Sequence, residues 1–139
     1  MITRKAEYAI RILFDLAALQ KEGKNTTTKE IAKRQKVPSN LIMQLIAVLG
    51  KKGWLKTTRG PAGGVQLIKD PEKITLQEVI ELFDGPLIIT RCLENDSSCE
   101  NSPDCPLRKI WLETQQKMLD VLKGTNIKEL LEKKESAKG

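Results

Sequence analysis

The 139-residue chain contains no histidine, and that absence closes off several functions at once. The commonest nitrogen ligand for metals is missing, as is the imidazole that would activate a cysteine nucleophile. No phosphate-binding glycine loop and no paired-carboxylate motif supplies acid-base machinery in its place, so an enzyme is not expected. Cysteine is scarce as well: the chain has three, an odd number that cannot close entirely into disulfides within one chain. No apolar run approaches the length of a membrane span, and Met1-Ile-Thr-Arg-Lys5 leads straight into an amphipathic pattern unlike a signal peptide. A cytoplasmic protein with no membrane partner is expected.

All three cysteines fall in one stretch, Cys92 to Cys105, with six residues between Cys92 and Cys99 and five between Cys99 and Cys105. The intervening Asn, Asp, Ser and Pro favour turns over a helix or strand that would splay the thiols, so three sulfurs can face one point. That polar composition also speaks against three buried, inert thiols. Structural zinc takes four protein ligands drawn from Cys and His, which leaves a zinc site here one ligand short. Thiolates are the usual ligands of iron-sulfur clusters, where a carboxylate or a partner subunit's residue can fill the remaining position. A cluster therefore leads, ahead of a cluster-free thiol redox switch and of zinc.

Forty per cent hydrophobic content over this length suits one core with an appended dimerisation element. From Thr3 to about Gln20 the run containing Ala6, Ala9, Ile12, Leu13, Leu16 and Ala17 is too broadly apolar for a helix resting on a single neighbour. Thr3 can cap its start, and Gly23 suits its end. Glu7 stands in this company either as a solvent-facing carboxylate or as one that reaches across a subunit interface. Thr27-x-x-Glu30 forms a capping box for a short helix to about Lys36. Val37-Pro38-Ser39-Asn40 then restarts the chain into a helix through Leu41, Ile42, Leu45, Ile46 and Leu49 that ends at Lys51-Lys52-Gly53. This is helix-turn-helix spacing.

Trp54–Arg59 and Val65–Lys69 alternate as strands around Gly60-Pro61-Ala62-Gly63-Gly64, a hairpin wing whose glycines allow close backbone approach. Net charge is +6, and between Lys21 and Lys73 basic residues far outnumber Glu22, Glu30, Asp70 and Glu72. Because this excess coincides with the helix pair and the wing, duplex DNA is the favoured partner. Thr75-x-x-Glu78 opens a helix that stops at Gly85-Pro86. After Cys105-Pro106 the residues Leu107, Ile110, Trp111, Met118, Val121 and Leu122 make a stripe along a long helix to about Lys123, assigned with the first helix to dimerisation. Asn126-x-x-Glu129 caps a last short helix, with fraying expected from Lys133.

Together the Tyr8-Ala-Ile-Arg11 segment, Glu30-Ile-Ala32, Arg59-Gly-Pro-Ala-Gly-Gly64, Ile74-Thr-Leu76 and the three cysteines resemble the Rrf2 family of bacterial transcription regulators, which includes IscR-type and NsrR-type members. The resemblance spans nearly the whole chain. It implies a mainly α fold with a small β-hairpin wing, divided into a winged helix-turn-helix DNA-binding unit (1–85), a cysteine-containing cluster loop (86–105) and a dimerisation helix with tail (106–139). It implies a homodimer on a palindromic double-stranded operator, controlled as a repressor by an iron-sulfur cluster, with 4Fe-4S favoured over 2Fe-2S.

In IscR-type members a histidine three residues after the third cysteine completes the cluster, whereas Arg108 stands there in this chain. In NsrR-type members a carboxylate in the other subunit's first helix serves, and Glu7 occupies the matching position. The implied ligands are thus Cys92, Cys99, Cys105 and Glu7, with Glu94, Asp96, Glu100 and Asp104 as rivals. The first cysteine spacing is one residue longer than in those relatives. Ser39, Asn40 and Gln44 match recognition-helix contacts and Arg59 a wing arginine, with Lys29, Lys51, Gly60 and Gly63 completing the candidate DNA surface. A cluster-free redox repressor and a zinc-bound winged-helix interaction module are the alternatives.

Overall fold

The computed structural model describes residues 2–61, 63–90, 93 and 105–138. In chain order the elements are α1 (Arg4–Glu22), α2 (Thr28–Gln35), α3 (Ser39–Lys51), β1 (Leu55–Thr58), β2 (Gly64–Leu67), a 3-10 turn at Pro71–Lys73, α4 (Leu76–Asp84), α5 (Pro106–Lys123) and α6 (Ile127–Lys138). The result is a mainly helical fold with a two-stranded antiparallel wing.

α1 is the helix on which the others lean. Thr3 caps it by accepting from the Ala6 amide, and Gly23 ends it in the left-handed region at φ 69°. The Thr3 amide and hydroxyl both donate to the Asp84 carboxylate, which ties the start of α1 to the end of α4. Ala9, Ile12, Leu13, Leu16 and Ala17 are buried in the main core, because α2, α3, α4, α6 and β2 all pack against this helix. The breadth of its apolar face is thus matched by several neighbours within one chain, as the sequence required of a helix too apolar for a single partner.

Threonine caps recur where the sequence placed them: Thr27 accepts from the Glu30 amide at 3.2 Å and Thr75 from the Glu78 amide at 3.1 Å. α3 buries Ile42, Leu45, Ile46 and Leu49 and turns its other side outward. In the wing, Leu55 lies opposite Leu67, Lys56 opposite Gln66, Thr57 opposite Val65 and Thr58 opposite Gly64. Both strands are shorter than expected. The segment before α2 extends their ladder, since the Val65 amide donates to the Thr26 carbonyl at 2.8 Å.

That contact explains Gly64. A Cβ there would stand 2.3 Å from the Thr26 carbonyl oxygen, and one at Gly63 would stand 2.1 Å from the Thr58 carbonyl oxygen. Gly63 and Gly64 therefore serve close approaches inside the protein itself. Gly64→Ala should lower stability by about 1–3 kcal/mol, the usual scale of forced overpacking. Urea unfolding checks this; an unchanged midpoint would mean that the Thr26 segment yields freely.

The last helix differs from expectation. Instead of a short helix fraying from Lys133, α6 continues to Lys138. Asn126 accepts from the Glu129 amide at 2.9 Å, the Ile127 amide donates to the Ile74 carbonyl at 3.0 Å, and Ile127 and Leu131 are buried in the main core. Lys21 pairs with Glu135 at 3.1 Å, and the Lys134 ammonium lies 4.9 Å from the Phe14 ring centroid. These contacts hold the helix down past the point where its own apolar pattern ends.

α5 is the opposite case. Met118, Leu119 and Leu122 rest on a small cluster of Ala6, Ile80 and Leu87, yet no residue of α5 is fully buried. Leu107, Ile110 and Val121 are 55%, 54% and 66% exposed. No helix among the described residues is long and apolar enough to cross a membrane.

Candidate nucleic-acid interface and cysteine segment

A helix that buries Ile42, Leu45, Ile46 and Leu49 must present the residues between them to solvent. Ser39, Asn40, Met43, Gln44, Ala47 and Lys51 are all exposed on α3. No side chain caps this helix, whose start follows Pro38, so its first amides are available to an anion such as a phosphate. Asn40 and Gln44 offer paired amide donors and acceptors. Met43, 65% exposed, adds an apolar tip suited to a thymine methyl group.

A groove of about 450 Å³ lies beside this face, lined by Lys29 of α2, Met43 of α3, and Arg59, Gly60 and Gly63 of the wing. The structure thus brings four sequence-predicted residues, Lys29, Arg59, Gly60 and Gly63, around one groove. Ser39, Asn40 and Gln44 stand on the neighbouring helix surface, and Lys51 at the far end of α3. Gly60 sits at φ 102°, a conformation that side-chain-bearing residues rarely adopt.

Arg34 belongs to the basic surplus but is committed elsewhere. Its Nε donates to Asp15 Oδ1 at 3.0 Å, and its Nη2 donates to Asp15 Oδ2 at 2.7 Å and to Thr26 Oγ1 at 2.6 Å. Gln35 Nε2 donates to the same Asp15 at 2.9 Å, and Arg34 Nη1 lies 3.6 Å from Glu30. Asp15 and Thr26 are the buried polar residues among those described. Hydrogen bonds to the Asp15 carboxylate raise the Arg34 pKa above its ordinary value, which favours the charged guanidinium. Sequence reasoning missed this cluster; the signal was a carboxylate between Phe14 and Leu16 in the middle of an apolar run.

Of the candidate cluster ligands, Cys105 is the N-cap residue of α5, partly buried, with a free thiol. Cys92, Cys99 and the rival acids Glu94, Asp96, Glu100 and Asp104 lie outside the described residues. Glu7 sits in the first turn of α1 with its side chain 58% exposed, 3.2 Å from Arg11 Nη2. Among the described residues of one chain, no three His, Cys, Asp or Glu side chains gather as a metal site.

The sequence profile of the Rrf2 family, described as an iron-dependent transcriptional regulator, matches residues 2–133. The chain is similar to the HTH-type transcriptional regulator NsrR of Bacillus subtilis, with 33% identity over 96% of this chain and 92% of the relative. Among solved structures it resembles T. potens IscR, with TM-score 0.78 and 27% identity over 100% of this chain and 91% of the other. It also resembles the oxidized form of Staphylococcus aureus CymR, with TM-score 0.73 and 28% identity over 95% of this chain and 96% of the other.

Proposed function

Because this chain belongs to the Rrf2 family and is a DNA-binding transcription regulator, we propose that it is a cluster-sensing repressor that acts as a homodimer on a palindromic operator. The observation that carries the DNA half is the exposed face of α3 backed by its four buried anchors. In this reading α3 enters the major groove, Asn40 and Gln44 read adenine edges, and Ser39 and the α3 N-terminus meet the backbone. Lys29 and Lys51 neutralise phosphates. Arg59, at the wing, enters the adjoining minor groove, and the turns at Gly60 and Gly63 set its height.

Cys92, Cys99 and Cys105 of one subunit would hold an iron-sulfur cluster, 4Fe-4S in preference to 2Fe-2S, with Glu7 of the partner subunit as the remaining ligand. The described residues fit that donor set: Cys105 carries a free thiol at the positive end of α5, where anionic ligands are favoured, and Glu7 faces away from its own core. Once bound, such a cluster supplies iron that responds to small reactive molecules or to redox state. The exposed apolar side chains of α5, Leu107, Ile110 and Val121, supply the surface for the second copy.

The likeness to an oxidized CymR favours a second reading, in which the cysteines switch by oxidation without iron. Anaerobic purification followed by native mass spectrometry with iron and sulfide determination separates the two. Bound iron and sulfide in equal amounts are expected; iron-free protein with full operator affinity that is lost on oxidation would replace the cluster reading with the thiol one.

At the reading head, Gln44→Ala should cost about 1–3 kcal/mol on the preferred duplex and relax discrimination at one base position per half-site. Lys51→Ala should weaken all duplexes alike and flatten the salt dependence. Fluorescence anisotropy across a salt series checks both, and equal base-specific losses from the two substitutions would show α3 to be docked differently.

A further inference from the structure

Arg34 has five N–H donors: Asp15 and Thr26 take three of them, and Nη1, which carries the other two, lies 3.6 Å from Glu30. Two carboxylates flank this single guanidinium, so a phosphate finds little to gain there, although Lys29 and Lys33 are neighbours in sequence. What Arg34 does connect is architecture. Asp15 belongs to α1, Arg34 and Glu30 to α2, and Thr26 to the segment whose carbonyl accepts from Val65 of β2. We propose that Arg34, clamped by Asp15 and Thr26, is a positioning residue for operator recognition that fixes α2 and the wing against α1 without itself touching DNA. This inference rests on the DNA-binding reading above.

The geometry suits that role. Asp15 is buried and binds the guanidinium through both oxygens, which fixes the plane of the fork. Gln35 holds Asp15 from one side, and Thr26, also buried, passes the restraint on to Glu30 through its hydroxyl at 3.3 Å. A lysine in place of Arg34 keeps the charge but cannot engage two carboxylate oxygens and a hydroxyl in one plane. A valine in place of Thr26 keeps the shape but drops the hydroxyl. Either change loosens the orientation of α2 and the wing and leaves every candidate DNA contact in place.

The test uses the full chain. Wild-type protein first enriches a duplex from a random-sequence pool. Arg34→Lys and Thr26→Val are then titrated against that duplex and a scrambled one across a salt series, with circular dichroism confirming the folded state of each. Both variants should bind the enriched duplex on the order of tenfold more weakly, the scale of coupling changes of this kind. Binding to the scrambled duplex and the slope of log K against log salt should match wild type. If Arg34→Lys leaves the enriched duplex bound as tightly as in wild type, the clamp is not a positioning device. Should either variant weaken both duplexes alike with a shallower slope, a lost phosphate contact replaces the proposal. Absence of any enrichment by wild type would overturn the DNA-binding reading itself, an outcome distinct from both.

Discussion

Alanine in place of any one of Cys92, Cys99 or Cys105 is expected to abolish stable cluster loading, whereas Glu7→Ala should leave a bound but more labile cluster and an altered operator affinity. The asymmetry comes from ligand chemistry. Thiolates are the soft ligands that hold iron-sulfur clusters, and a carboxylate is the weaker and more exchangeable corner. Glu7 is also the corner that joins subunits in the proposed dimer, so its loss changes how the two reading heads are held. The substitution has a small structural side effect: it removes an exposed i,i+4 pair with Arg11, worth roughly 0.3–0.5 kcal/mol. Anaerobic loading of each variant, with iron, sulfide and operator binding measured side by side, checks the pattern. A Glu7→Ala protein indistinguishable from wild type in all three would return the open ligand position to Glu94, Asp96, Glu100 and Asp104.

The other large effect is expected on α5. Ile110→Glu, alone or with Val121→Glu, should convert the proposed dimer to monomer and remove high-affinity operator binding. In the proposed dimer each copy would contribute the residue to a two-fold interface, so one substitution would place two carboxylates where apolar side chains meet. Folding of the single chain should hardly change, because Ile110 and Val121 already face solvent within it. Sedimentation velocity and thermal unfolding separate the two effects. A dimer of unaltered mass and operator affinity would move the interface away from this helix.

Periodicity and caps made most of the fold legible. Thr3, Thr27, Thr75 and Asn126 each mark a helix start that the structure contains, and Gly23 and Gly85 mark two of the ends. The wing was visible from its glycines, but its purpose was not: the contacts of Gly63 and Gly64 with the Thr58 and Thr26 carbonyls join segments that local pattern cannot bring together. The same limit hid the Asp15–Arg34 pair, separated by nineteen residues. It also hid the end of α6, where long-range contacts to Phe14 and Lys21 sustain a sequence that reads as a solvated tail. The exposed face of α3 was legible because a single helix with four buried anchors dictates its own outward side. The proposed cluster ligands would come from residues distant in sequence and from a second subunit, and neither leaves a periodic trace.

The seating of α6 has a consequence for how this protein comes into being. Ile127 and Leu131 complete the core around α1, so α1 stays partly uncovered until α6 has been synthesised. The cysteine stretch is translated inside that interval, between the bulk of the core and the two residues that complete it. Both of its flanks are thus tied into the fold, and in the proposed function a change in what the cysteines hold would pull on a closed framework, where a dangling arm would absorb it.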